Sequence, residues 1–328
     1  MNVCPHGLLS ARLCESLRLI RIRPGTEWTA TVGDRTLAES SGSALRGPLV
    51  KALYDVLHAG RGEISQRSRS LRNPEFEKRL LAATPHSGTS AFAQLVGPVS
   101  GPGDGADEAV VEYSGVRVRV PTGSIRSTGT LLPGDTVSVE MPAARPALSP
   151  GFFLADGSHG RPGRTALLRL YVHVSDSDSA PGAWNSALSR LESEGVRYRA
   201  KILSSPQLFP RTDSLVIYLG PDAWQITTGL VGTLELLPGV RPTTSVFARC
   251  LAPGVAMAWE PADGRLGRAH LSYGQHRSAA LADALIRHAT GKNSSTLDQL
   301  VHQSLFDAGI DPKSPEQNID SPEIEISR

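Results

Sequence analysis

The sequence predicts an α+β protein with a helical N-terminal region, a small antiparallel β insert and a C-terminal α/β part that carries the site. Three observations lead there. Apolar residues recur at helical intervals through the first eighty or so residues. Two-residue alternation around tight turns takes over between Glu108 and Pro142. From Thr165 onward, alternating strands are interleaved with amphipathic helical segments. The boundaries fall at 1–95 for the helical region, 96–150 for the β region and 151–306 for the α/β region, with 307–328 a polar, Pro-containing, disordered tail.

Residues 7–20 place Leu8, Leu9, Leu13, Leu17 and Ile20 on one helical stripe. A second helix spans 43–59, with Leu49, Leu53, Tyr54 and Leu57 in line and Pro48 marking its true start, because proline fits only the first turn. A third covers 73–84, capped by Asn73 with Pro74 at the first position. The stretch 100–108 reads as a flexible loop. Residues 108–125 form a hairpin about Ser114-Gly115, and 132–142 add a strand after Pro-Gly-Asp. The Gly-rich stretch 157–163 reads as mobile. A strand at 165–174, a helix at 183–193 and two strands at 196–203 and 211–219 follow. Helices are expected near 244–252 and, as the last one, at 278–289.

The 328 residues are enough for one large domain or two modest ones. Lys+Arg number 34 against Asp+Glu 32, so the surface as a whole is no polyanion binder and any basic feature is local. The three cysteines, Cys4, Cys14 and Cys250, are scattered and odd in number, which argues against a disulfide framework and for a reducing cytoplasm. Cys4, His6 and Cys14 fit no standard metal spacing. No apolar run approaches the ~20 residues of a membrane helix, and no secretory signal is evident. A phosphate-binding Gly-Lys-Ser/Thr loop, an H-E-x-x-H, paired C-x-x-C and a G-x-S-x-G elbow are all missing. Aromatic residues do not accompany the basic ones, so a stacking platform for nucleic acid is unsupported. Neither metal nor cofactor is expected.

Strand parity locates the site. In 165–174, Leu168, Leu170, Val172 and Val174 share one face, and Arg169, Tyr171 and His173 the other. In 196–203, Arg197, Arg199 and Lys201 likewise oppose the apolar set. A helix between these strands would cover the apolar face and make them neighbours. The polar faces then gather positive charge with no interleaved acid, and Arg211 and Asp213 stand at the mouth of the next strand. Such a face is either solvated or self-repelling unless an anion or Asp213 sits on it; the charge favours an anion site. His276 and Arg277 fall at a helix start after Gly274. There free N–H groups favour a phosphate, or the segment is an ordinary capping turn.

The order LLRLYVHV, helix, VRYRAKILSSPQLFPRTDSLVIYLG, RPTTSVFARCLAPGVAMAWEP and LSYGQHR resembles the HopA-type type III effector family, over roughly residues 150–290, with an earlier echo in SPGFFLADG. Departures are local: TTSVF, Ala256 and the stretch 262–270 differ from the family's pattern. Members outside pathogens resemble lyase components of actinobacterial class V lanthipeptide and thioamitide clusters. The resemblance implies a phosphoserine/phosphothreonine lyase acting on a phosphorylated precursor peptide. A separate kinase-like protein of the aminoglycoside phosphotransferase type would add the phosphate. By the parallel of the OspF-type phosphothreonine lyases, Lys201 is the expected base and His173 the acid, with His276 second. Arg169, Arg199, Arg211 and Arg277 bind phosphate, while Tyr171, Tyr273 and Asp213 orient the set. A base must meet an unactivated α-proton and cations must meet the leaving phosphate, which suits this residue set. A non-catalytic module binding the peptide or the kinase, and a host-directed effector, are the alternatives. The N-terminus lacks a secretion-like Ser-rich stretch, which favours the biosynthetic branch.

Overall fold

The computed structural model describes residues 7–61, 70–97, 108–126, 130–163, 165–291 and 294–324. The expected loop at 100–108 and the Cys4-His6 pair lie almost wholly or wholly outside them. The first elements are α1 (Ala11–Leu17), β1 (Ile20–Arg23), β2 (Trp28–Val32), β3 (Arg35–Glu39), α2 (Gly42–Leu53) and α3 (Pro74–Ala82). Next come β4 (Gly88–Leu95), β5 (Glu108–Tyr113), β6 (Val116–Pro121), β7 (Ile125–Arg126) and β8 (Thr136–Pro142). The remainder is β9 (Phe152–Asp156), β10 (Leu168–Val172), α4 (Ala180–Ser193), β11 (Tyr198–Leu203), β12 (Leu215–Leu219), α5 (Thr227–Glu235), β13 (Arg249–Ala252), β14 (Val255–Trp259), α6 (Tyr273–Ala289) and α7 (Leu297–Asp307). The α+β class holds.

The alternation in β10 builds the middle of a six-stranded sheet in the order β13-β14-β10-β12-β11-β9, antiparallel throughout. β10 and β11 are therefore not neighbours. The α4 crossover skips one position and β12 returns into the gap, pairing Arg169 with Tyr218 and Tyr218 with Arg199. The apolar face (Leu168, Leu170, Val172, Ala200, Ile202) is covered by α4 and α5 through Trp184, Leu188, Leu230 and Leu234. Complete burial of each such side chain contributes roughly 1.5–3 kcal/mol.

The opposite face is also covered over half its width. Tyr171, Val216, Ala256 and Ala258 share one core with α1, α2, α6, α7 and the first three strands. The N-terminal region is thus not merely helical. Ile20 and Ile22 continue the apolar spacing of α1, which hides the start of a three-stranded sheet, β1-β2-β3. The second helix begins at Gly42, where Ser41 Oγ accepts from Ala44 N at 3.1 Å, and Pro48 lies inside it. Proline forfeits one helical hydrogen bond there; burial of Leu45, Leu49 and Leu53 in the core offsets the loss. The expected Asn73 cap is present, its side chain accepting from Phe76 N at 3.0 Å.

The expected helix at 244–252 is instead a turn, Ala248 N donating to Ser245 O at 3.2 Å, that leads into β13. β13 and β14 form a hairpin whose turn, at Gly254, packs against the preceding segment so closely that a Cβ there would lie 2.2 Å from Arg241 O. α6 begins at Tyr273 rather than Ser278, with a Ser272–Gln275 capping box, and α7 follows it unforeseen. Gly274 is required where α6 crosses the π-helical turn Tyr54–His58 that continues α2, since a Cβ would fall 2.1 Å from His58 Cδ2. The tail is packed as far as the described residues reach, with Ile324 against the core, and is not disordered there. Trp259 N donates to Glu316 O at 2.9 Å, and Asn318 Nδ2 donates to Glu260 O at 2.7 Å.

The small sheet, β6-β5-β4-β8-β7, includes Gly88–Leu95 from the stretch expected to be helical. Its edge strands β6 and β7 are joined by one turn, Thr122–Ser124. The four Cα steps from Pro121 to Ile125 reach at most ~14 Å, whereas a flat sheet would set these edges ~19 Å apart. The sheet therefore curls around Ala91, Val111, Val137 and Val139. The Ser114-Gly115 turn has φ of 54° and 77°, as the hairpin signature requires. The stretch 157–163, read as mobile, is fixed by a Gly157–Gly160 bridge and by Ser90 N donating to Ser158 O at 3.1 Å.

Candidate functional site

At the β9–β11 end, the second sheet face is open as a cleft of about 340 Å³. Arg161, Arg169, Arg199, Lys201, Tyr218 and Glu260 line it. Register places the side chains: Arg199, Tyr218 and Arg169 form one row, and Lys201, Val216 and Tyr171 the next. Lys201 Nζ lies 4.4 Å from the Phe152 ring centroid and 5.6 Å from that of Tyr218. Among the described residues it makes no hydrogen bond or ion pair.

The arginines differ. Arg199 donates Nε and Nη2 to Asp156 at 2.6 and 3.0 Å. Arg169 is buried, pairs through Nε with Glu260, stacks 5.0 Å from the Tyr218 centroid and reaches Tyr171 Oη at 3.5 Å. Arg211 donates to both Asp213 oxygens at 2.7 and 2.6 Å and to Tyr54 Oη at 2.6 Å. Arg197 pairs with Asp222 at 2.9 Å. The acids that local sequence did not show are therefore present, supplied mostly from distant segments. The charge on this face is largely balanced, and among the described residues Lys201 and Arg161 are the cations of the cleft lining without an ion pair.

Other expected members lie elsewhere. Tyr171 is buried beneath α6 in a cluster with His58 and Tyr273, ring centroids 5.5 to 5.8 Å apart. Tyr273 donates to Phe247 O and, at 3.1 Å, to Pro315 O. His173 is absent from the cleft lining; its Nδ1 lies 2.9 Å from Thr243 O, and burial lowers its proton affinity despite that bond. His276 N donates to Ser272 O at 2.8 Å, so it sits past the free N–H groups of α6. Its Nδ1 accepts from the Arg277 guanidinium at 2.9 Å, which leaves Nε2–H to donate to Asp263 at 2.8 Å. Burial, then Arg277, holds His276 to about 4 against the pull of Asp263. Arg277 is fully buried and binds Pro315 O, Gln317 O and Asn318 Oδ1, a clamp on the C-terminal segment rather than a phosphate ligand. Among the described residues no three His, Cys, Asp or Glu side chains gather as metal ligands, and no helix is long and apolar enough to cross a membrane. Cys14 is disulfide-bonded and Cys250 free, so the cysteines no longer argue for a reducing compartment.

Sequence reading missed Arg161, Phe152, Asp156, Tyr218 and Glu260. Parity within Leu215–Leu219 already put Tyr218 on the face of Arg169; the others needed the fold. A larger cavity, about 700 Å³ between α5 and β13, is lined by Val231, Leu251 and Pro253 and carries none of the singled-out residues.

His58 lies behind the cleft, its Nδ1 2.9 Å from Ser245 Oγ and its Nε2 3.6 Å from Asp213. Burial holds its proton affinity down to about 4, although Asp213 pulls the other way. Burial would raise the Asp213 carboxyl, but Arg211 outweighs it and holds it well below the usual range. The His58–Asp213 contact is therefore not an ion pair near neutrality. Unfolded histidine titrates near ~6.5, so as pH falls below that value the unfolded chain binds a proton that folded His58 refuses. Stability should be complete above pH ~6.5 and fall by about 3 kcal/mol from His58 alone by pH ~4. His173 and His276 act in the same direction. Urea midpoints from pH 7.5 to 4.5 measure this, and a flat profile would contradict it.

The chain belongs to the HopA1 effector protein family, whose model matches residues 143–317. Solved structures align with it, two of them effector proteins of Pseudomonas syringae. The effector protein from Pseudomonas syringae pv. tomato strain DC3000 has TM-score 0.47 and 15% identity, over 84% of this chain and 93% of that one. The effector protein from Pseudomonas syringae pv. syringae strain 61 has TM-score 0.47 and 12% identity, over 84% and 92%. No curated protein matches.

Proposed function

We propose that the cleft takes a phosphorylated Ser or Thr side chain of a ribosomally made precursor peptide and eliminates its phosphate. Lys201 Nζ accepts the α-proton, the C–H electron pair becomes the Cα=Cβ bond, and the Cβ–O bond breaks with its pair leaving on phosphate. The products are dehydroalanine or dehydrobutyrine and inorganic phosphate. A kinase-like partner of the aminoglycoside phosphotransferase type supplies the phosphopeptide. The observation that carries this reading is Lys201 itself, a side chain with no hydrogen bond or ion pair among the described residues, on aromatic faces, in a cleft flanked by Arg169 and Arg199. Such a lysine, once its own proton has left to solvent, has a nitrogen lone pair that no protein donor occupies, and fixed guanidinium groups stabilise the departing charge. Incubation with a phosphothreonine peptide should give a product lighter by phosphoric acid. Phosphopeptide left intact in the presence of the kinase partner would refute it.

A second reading has support from one observation: neither His173 nor His276 lines the cleft, so among the described residues no histidine of the lining stands ready to protonate the leaving oxygen. In this reading the cleft binds the phosphopeptide without turning it over. Tight binding with no change in mass would establish it.

A further inference from the structure

The four cationic side chains lining the cleft differ in what balances them. Arg169 is held by Glu260 and Arg199 by Asp156. An anion meeting either guanidinium also meets the carboxylate already there. Lys201 must be neutral when the phosphorylated substrate binds if it is to accept the α-proton, so it cannot be the counter-ion that receives the incoming phosphate dianion. Arg161 is the exception. Its Nη2 donates to Ser114 Oγ at 2.7 Å, and its guanidinium lies 5.1 Å from the Tyr113 ring centroid. Both hosts are neutral, and no ion pair engages Arg161 among the described residues. A hydroxyl and a ring face are weak competitors for a guanidinium against a phosphate dianion, which offers a bidentate, charge-assisted pair.

We propose that Arg161 receives the phosphate, leaving Tyr113 and Ser114 for the bound anion. This rests on the phosphate reading of the cleft. The backbone around it is fixed by the Gly157–Gly160 bridge and by buried Pro162, so the motion asked for is that of one long side chain. The resting place is the β5–β6 turn, which ties the small curled sheet to the site as the support that keeps Arg161 at the rim. The chemistry recognised is a phosphate monoester on a peptide or the inorganic phosphate released from it.

The test titrates inorganic phosphate and a phosphothreonine peptide into protein carrying Lys201→Arg, which prevents turnover, with and without Arg161→Gln. Arg161→Gln should raise the Kd of both probes about tenfold or more. Arg161→Lys should fall between, and Arg119→Gln, at an exposed residue of the small sheet beside Glu108, should change neither. A peptide response without a free-phosphate response places the site's affinity in the ester and still requires Arg161. Equal affinity with and without Arg161, in protein whose Lys201 form eliminates phosphate, overturns the role of Arg161 and leaves the lyase reading intact. Failure of the parent protein to bind either probe overturns both.

Discussion

Lys201→Arg should abolish phosphate elimination while leaving phosphopeptide binding in place. Arginine keeps the positive charge and the aromatic contacts, but its guanidinium stays protonated in proteins and cannot accept an α-proton. General-base catalysis contributes about 10²–10⁴-fold, so turnover should drop by at least that range. Stability should change little, because Lys201 is only half-buried and no hydrogen bond is lost. Single-turnover rates and a binding titration on the same variant separate the two effects. Turnover equal to that of the parent protein would remove Lys201 from the chemistry; loss of binding together with turnover would make it a ligand instead.

Arg277→Met should unfold the protein more easily and leave the cleft chemistry to suffer only indirectly. The Arg277 side chain donates to Pro315 O at 3.1 Å, Gln317 O at 3.2 Å and Asn318 Oδ1 at 2.9 Å, and lies 4.5 Å from the Tyr273 centroid. Methionine fills much of the volume but strands these buried acceptors, at a cost of about 3–5 kcal/mol. The loosened segment includes Asn318, which holds Glu260 O, and Glu260 holds Arg169. Urea denaturation and limited proteolysis near residues 309–321 read the effect. Unchanged stability with lost phosphopeptide affinity would restore Arg277 as a phosphate ligand.

Local pattern carried the strands. Leu168, Leu170 and Val172 against Arg169 and Tyr171 is a two-residue period that the pleat converts directly into faces. The same logic placed Arg199 and Lys201 correctly opposite the apolar set and brought Arg169, Arg199 and Lys201 to one cleft. What parity cannot say is what covers a face. Tyr171 and His173 share the side of Arg169, yet α6 and the end of α2 bury that half of the sheet. His58, buried against Tyr171, is 113 positions away in sequence. Asp156 and Glu260 escaped notice because each reaches its arginine from another strand or loop, and an arginine read alone looks unpaired. The tail misled by composition: Pro315 to Asn318 is polar, but Arg277 satisfies its carbonyl groups from inside the core, which no count of hydrophobic residues reveals. Helix ends failed where tertiary packing overrode the local rule, as at Pro48 within α2.

The most direct measurement uses a phosphothreonine peptide carrying deuterium at Cα. β-Elimination with Lys201 as base predicts one dehydrobutyrine formed for each phosphate released, loss of the label from the product, and a rate lowered by the label when proton removal limits turnover. Phosphate released with threonine regenerated and the deuterium retained would mean hydrolysis, and would contradict the assignment of Lys201 and of the cleft as a lyase site.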